Sequence, residues 1–438
     1  MLKVRSLWDR LRSSLWFVPS ILVAGAIFLA LGLIELDSSL EWHDSQKQWP
    51  RLFGAGADGS RGMLTAIASS MITVAGVAFS ITIVALAMAS GQYTSRILRN
   101  FMRDRANQTV LGTFLGIFVY CVVVLRTIRG GDEGAFVPSL AVLFGVVLSL
   151  VGIGCLIFFI HHMASSIQAE SIIELAANET IEAIDRMFPA ALGEAADTGL
   201  SPERESALSD RLWLPIPAQR NGFLQGIDSD ALLDFARQRG AVVRMERGVG
   251  EFVVEGAPLV SVTGGKPPGE ETPGELNACF TVGHQRTTVQ DAGFGIRQIV
   301  DVALKALSPG INDTTTAVTC VNYLTAVLAR LANQHIETPY RLDDGELRVI
   351  ARGPSFPSLL GEAFDQIRRN AEGNVAVLLA LLEALEVVAG RTRDAERLRA
   401  VARQVELIAE VARRTIPSLP DREGIEAALD RRTKRGIT

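Results

Sequence analysis

Apolar residues along this chain fall into two patterns that change over near residue 167. Before that point four stretches carry almost no charge: Leu15–Leu36, Met63–Ser90, Gln108–Leu125 and Phe136–Ile160. Each is close to or above the roughly 20 apolar residues that cross a bilayer core, so the pattern predicts four transmembrane helices. Beyond it, apolar residues alternate in short runs or recur at helical spacing, as expected of folded α+β structure outside the membrane.

The second stretch, MLTAIASSMITVAGVAFSITIVALAMAS, has a pattern within the pattern. Thr65, Ser69, Thr73, Gly76 and Ser80 recur at spacings of 4, 4, 3 and 4, which places small and hydroxylic side chains on one helical face. Such a stripe serves one of two ends. It lets another helix approach closely within the protomer, or it lines a water-filled pore built from several copies.

Charge then orients the spans. Lys3, Arg5, Arg10 and Arg12 precede the first, and Arg96, Arg99, Arg103 and Arg105 follow the second. The segment 37–62 is poorer in basic residues and richer in acids. Basic flanks stay inside, so both termini are expected in the cytoplasm, with everything after His162 forming a cytoplasmic domain. The first apolar run is too long for a signal peptide and is read as retained. Arg96, Arg99 and Arg103 sit on one side of an amphipathic elbow after the second span. They read either as ordinary positive-inside anchors or as a ring of charge at an inner pore mouth. The fourth span continues through FFIHHMASSIQAESIIELAANETIEAIDRMF with no Pro or Gly from Ile160 to Phe188, which predicts one helix running straight out of the membrane. His161 and His162 are adjacent rather than one turn apart, so they are not expected to form a metal pair.

Composition agrees with a mixed protein. A mean hydropathy of +0.25 and 48% hydrophobic residues are high for a water-soluble chain, while 21% charged residues are too many for a wholly embedded one. A formal net charge of −5 argues against nucleic acid as a partner. The four cysteines show no metal spacing, and no metal or cofactor is expected.

The expected organisation is a transmembrane domain over 1–167, a helical extension and linker over 168–210, a small β-rich subdomain over 211–275 and a mainly helical subdomain over 276–438. In the β-rich part, WLPIP, GFLQGI, AVVRM, EFVVEG and PLVSV read as strands, and RGVGE as a hairpin turn joining Val243 to Phe252. DSDALLDFARQRG reads as a helix capped by Asp228 or Ser229 and ended by Gly240. TGGKPPGEETPG lacks the Ser/Thr of a phosphate-binding loop. In the helical part, Ser308-Pro309-Gly310 separates two helices in a hairpin, Arg341–Ala351 reads as a β-hairpin turning at Asp343-Asp344-Gly345, and two further helices cover 375–388 and 398–412. Asp291, Arg297, Asp301, Asn312 and Asp313 form the densest polar cluster of this half. They read as helix caps and ion pairs, or as a regulatory site for a cation or polar ligand feeding the membrane domain.

Three stretches carry a family resemblance: Ser95–Gly116, FIHHMASSIQAESI at 159–172, and GHQRTTVQDAGFGIRQIVDVALKALSPGINDTTTAV at 283–318. In these the chain resembles the bacterial inner-membrane proteins catalogued as domain of unknown function 2254. The resemblance implies a polytopic membrane domain with a cytoplasmic C-terminal domain, and no reaction. No nucleophile elbow, nucleotide loop or metal cluster is present either, so an enzyme is not expected. The sequence leaves two functions: a homo-oligomeric ion channel of the inner membrane, lined by its second span, or a membrane-anchored sensor or scaffold whose cytoplasmic domain binds a ligand or partner.

Overall fold

The computed structural model describes residues 16–39, 56–92, 104–130, 136–166, 168–187, 192–195, 208, 211–265, 269–334, 336 and 338–433. It divides into two compact units, 1–171 and 172–438.

The first unit contains α1 (Phe17–Ser39), α2 (Ala57–Gln92), α3 (Arg105–Thr127) and α4 (Ser139–Ser166). α2 and α3 contain the second and third predicted spans and extend beyond both ends, while α1 and α4 begin two and three residues later than predicted and run on past the predicted ends. α3 is the central element, with Val110, Phe114, Ile117, Tyr120, Cys121 and Val124 all buried. α1 crosses it closely at Gly112, where a Cβ would lie 2.7 Å from Leu22 Cδ1 and 2.8 Å from Pro19 Cα. Between apolar helices in lipid, such close backbone approach supplies much of the association energy. Two polar contacts tie the ends. The buried Asp37 carboxylate, at the end of α1, accepts from the amides of Leu140 (3.3 Å) and Ala141 (3.1 Å) in the first turn of α4. Tyr120 donates its hydroxyl to the Ala141 carbonyl at 2.7 Å.

The straight exit helix expected after α4 is not formed. α4 stops at Ser166 and a new helix, α5 (Ala169–Asp185), begins three residues later. Ser165 and Ser166 turn their hydroxyls back onto the carbonyls of His161 (3.1 Å) and His162 (2.7 Å). Serine pairs that bond back in this way bend or interrupt helices without any Pro or Gly.

The second unit has two sheets and a helical layer. Its elements are β1 (Glu194–Ala195), β2 (Leu214–Pro217), β3 (Gly222–Ile227), α6 (Ser229–Arg239), β4 (Val242–Met245), β5 (Phe252–Val253), β6 (Pro258–Thr263), α7 (Thr272–Ala278), β7 (Phe280–Gly283), α8 (Ala292–Ala306), α9 (Thr314–Asn333), β8 (Tyr340–Asp343), β9 (Glu346–Ile350), α10 (Phe356–Asn370), α11 (Val375–Ala389), α12 (Ala395–Thr415) and α13 (Leu419–Thr433). The larger sheet runs β1-β8-β9-β4-β6-β2 and the smaller β5-β3-β7. Pairing is antiparallel except between β4 and β9.

Two local expectations hold here. α6 is capped by Asp228 and ended by Gly240 in the left-handed conformation, and β8 and β9 form a hairpin through Asp344 and Gly345, both at positive φ. Three do not. β4 and β5 are no hairpin, because β4 pairs with β6 and β9 while β5 pairs with β3 in the other sheet. The sheets also draw strands from outside 211–275: β7, β8, β9, and β1 from within the supposed linker. α7, α10 and α13 are helices beyond those read from the pattern. The buried Arg341 of β8 explains why the linker joins the sheet, since its guanidinium donates to the carbonyls of Leu192 and Gly193.

Candidate functional site

α2 has two faces. Leu64, Ala68, Met71, Ala75, Ala78 and Ala85 are buried in the helix packing of the first unit. Thr65, Ser69, Thr73, Gly76 and Ser80 are all exposed, roughly 140° around the helix from the buried row at 100° per residue. Close packing inside the protomer therefore uses alanines, and the hydroxylic stripe faces away from it. Thr73 donates its proton to the Ser69 carbonyl at 2.8 Å, which leaves its oxygen lone pairs directed outward. Ile72 on one side and Val77 and Val84 on the other flank the stripe with exposed apolar side chains. Arg96, Arg99 and Arg103 lie outside the described residues.

At the far end of α3 and α4, His162 Nε2 stands 2.6 Å from Asp104 Oδ2, while Asp104 Oδ1 caps α3 through the Ala106 amide. His162 also stacks on Phe158. This pair bridges the start of α3 and the end of α4. Among the described residues no group of three or more His, Cys, Asp or Glu is placed to hold a metal ion.

In the second unit the predicted polar cluster separates into two places. Asn312, at positive φ, and Asp313 sit in the turn after α8, where Asp313 accepts from the Thr316 amide (3.0 Å) and hydroxyl (2.6 Å) and caps α9. Those two bonds hold its carboxyl below the usual aspartate range. Asp291 lies at the opposite end of α8, which it caps through the Phe294 amide at 2.9 Å. Arg297 and Asp301 form an i,i+4 ion pair at 2.8 Å between them.

Around Asp291 the fold builds a cavity of about 540 Å³. Three loops meet there: Gly248–Glu251 after β4, Arg286–Gly293 leading into α8, and Arg352–Ser355 leading into α10, with Ser358, Leu359 and Glu362 from the first turns of α10. Arg286 grips Asp291 with two bonds, Nε to Oδ2 at 2.8 Å and Nη2 to Oδ1 at 2.9 Å, and its guanidinium lies 5.4 Å from the Phe294 ring centroid. Burial works against the Arg286 charge, but the Asp291 carboxylate outweighs it and the pKa rises. Arg352 is paired with Glu251 at 2.8 Å. Gly250, at φ +87°, brings the loop against Asp291, where any Cβ would lie 2.4 Å from Oδ2. Glu362 has no hydrogen bond and no ion pair among the described residues; burial pushes its carboxyl above the usual glutamate range, with Arg286 pulling the other way.

Of these, only Asp291 was marked by the sequence. Arg286 had a signal, five residues before an N-cap aspartate. Glu251 lies 101 residues before Arg352 and further still before Glu362, and nothing local links it to them. The same helix α8 touches α5: a Cβ on Gly295 would lie 2.0 Å from Thr180 Oγ1, so glycine is what allows the two to meet.

A set of long apolar helices joined to a C-terminal α+β unit defines a multi-helix membrane protein. The chain belongs to the family of predicted membrane proteins catalogued as domain of unknown function 2254, whose family model matches residues 12–387. It is similar to an uncharacterized protein of Mycobacterium tuberculosis (strain CDC 1551 / Oshkosh), 33% identical over 98% of this chain and 82% of the relative. An uncharacterized protein of Mycobacterium bovis is 32% identical over the same shares. No solved structure matches.

Proposed function

We propose that the protein is a homo-oligomeric ion channel of the bacterial inner membrane, with α1–α4 as its four spans, both termini cytoplasmic and α2 lining the pore. The observation that supports this reading is the direction of the hydroxylic stripe. A four-helix protomer encloses no wide pore of its own, so a polar face turned outward is available to a ring of copies. The exposed apolar positions beside it suit neighbouring subunits and lipid. A fifth helix, α9, is also long and apolar enough to span, but it buries Cys320, Val321, Leu324, Leu328 and Leu331 in the C-terminal unit, which favours four spans. The lipid bilayer, ions and further copies of the chain are the partners in this reading. Nucleic acid is not one, and no covalent chemistry is assigned.

Single cysteines at Ser69, Thr73 and Ser80, in a background lacking the native cysteines, test it. Reaction with a water-soluble thiol reagent together with current from purified protein in planar bilayers is the expected result. Protection at all three positions under conducting conditions would remove α2 from the pore. A second reading, a non-conducting membrane-anchored sensor, draws on the cavity around Asp291; absence of current at every voltage and pH would favour it.

A further inference from the structure

The charges lining the cavity do not cancel. Arg286 is matched by Asp291 and Arg352 by Glu251, each through its own hydrogen-bonded pair. Glu362 remains, a carboxyl in the cavity wall with no hydrogen bond or ion pair among the described residues; Arg286 and Arg297 act on it only through space, with Asp291 and Asp301 opposing them. Desolvating a carboxylate without a bonded partner is costly, and among the described residues no arginine or lysine is bonded to Glu362. We propose that this cavity is a binding site for a small organic cation, a molecule with an alkylammonium or guanidinium head that pairs with Glu362.

Three alternatives fit less well. An anion would find both arginines engaged, and the N-terminal amides of α8 and α10 that face this region are capped by Asp291 and Ser355. A bare metal ion needs several ligands converging on one point, and among the described residues no such group exists. A wholly apolar ligand would strand Glu362. The volume of about 540 Å³ falls within the range of ordinary small-molecule sites, about 300–1,000 Å³. Val249, Pro354 and Leu359 supply apolar wall for a short stem, and the Ser355 and Ser358 hydroxyls supply polar contacts beside it.

The test uses the full chain in lipid nanodiscs with methylguanidinium as the head-group probe. The probe is titrated to about 100 mM, a range that a fragment of this size reaches at well below the best ligand efficiencies. Ionic strength is held constant with sodium chloride, and saturation transfer is read on the probe methyl resonance. Saturable binding is expected. Glu362→Gln, isosteric and without a partner to lose, should weaken it by about tenfold or more, in line with loss of a charge-assisted hydrogen bond. Val249→Trp, which fills the cavity without altering its charge, should abolish it, while Glu410→Gln on the exposed face of α12 should leave it unchanged. No saturation, binding by the Glu362→Gln or the Val249→Trp protein as tight as the parent's, or saturable binding of inorganic phosphate in place of the probe would each overturn the assignment. Because binding is measured directly, its failure leaves the pore reading standing, and a protein that passes no current leaves the cation site standing.

Discussion

α4 and α11 are both almost wholly apolar, yet the fold uses them in opposite ways. α4 leaves Leu150, Ile153, Ile157 and Ile160 each more than half exposed. α11, LLALLEALEVV through most of its length, buries Leu378, Leu381, Leu382, Leu385 and Val388 completely. Length separates them: 28 residues against 15, or about 42 Å against about 22 Å at 1.5 Å per residue. The first matches a bilayer and the second falls short of one. Hydrophobicity alone therefore does not say which solvent a helix meets. An apolar side chain in α11 is held by neighbours packed to crystal-like density, whereas one on the outer face of α4 has no protein neighbour to lose.

The largest expected effect follows at once. Leu385→Ala should cost about 2–5 kcal/mol, since it removes buried methyl groups and leaves a cavity, whereas Leu150→Ala should stay within about 0.5 kcal/mol. Thermal unfolding of the two variants in nanodiscs checks this. Equal losses would mean that α4 is covered by another subunit, which would sharpen the pore reading. Next in size is Gly295→Ala, which forces a methyl group into Thr180 and should cost about 1–3 kcal/mol. Adding Thr180→Ala should recover much of that loss, and independent, additive effects would show that the α5–α8 crossing is not the source.

Smaller effects come from the two ends of α8. Asp313→Ala should cost about 1 kcal/mol through loss of the α9 cap, and Asp313→Asn less. Because the folded structure lowers the Asp313 pKa, its stabilisation is present above the ordinary aspartate range and is lost as pH falls through the folded value. The Asp313→Ala protein should therefore be less sensitive to acid than the parent. Glu362 has the opposite sign. Its raised pKa means that the ionised form disfavours the fold, so parent stability declines as pH rises from the ordinary glutamate range through the folded value. Glu362→Gln should then be the more stable protein at neutral pH and equal to the parent below that range. Melting curves across pH measure both.

Much of the fold was legible in the sequence, because the features that carried it are local. Apolar length placed the four helices of the first unit, and Asp228 with Gly240 bounded α6 from caps a dozen residues apart. Long-range pairing was not legible. Nothing in Glu194-Ala195 announces a strand until Arg341 is known to hold the neighbouring carbonyls, and RGVGE looks like a hairpin turn until β5 is seen in the other sheet. The serine pair that ends α4 was in view, but its bonding back to the preceding turn was not. The hydroxylic stripe was visible as a stripe, while its direction required knowing that alanines occupy the seam. The polar cluster was half legible: Asp291 belongs to the cavity, Arg297 and Asp301 lie along α8, and Asn312 and Asp313 serve the next helix.

The carboxylate that closes the start of α4 has a bearing on biosynthesis. Asp37 and the Ala141 amide it accepts from are 104 residues apart, so a chain emerging from the ribosome carries that acid through insertion of its second and third helices before its partner exists. A chain halted before residue 139 holds an unsatisfied acid at the end of its first helix, and arrival of the fourth helix removes it. Closing this contact is therefore a step that waits for the last helix of the bundle.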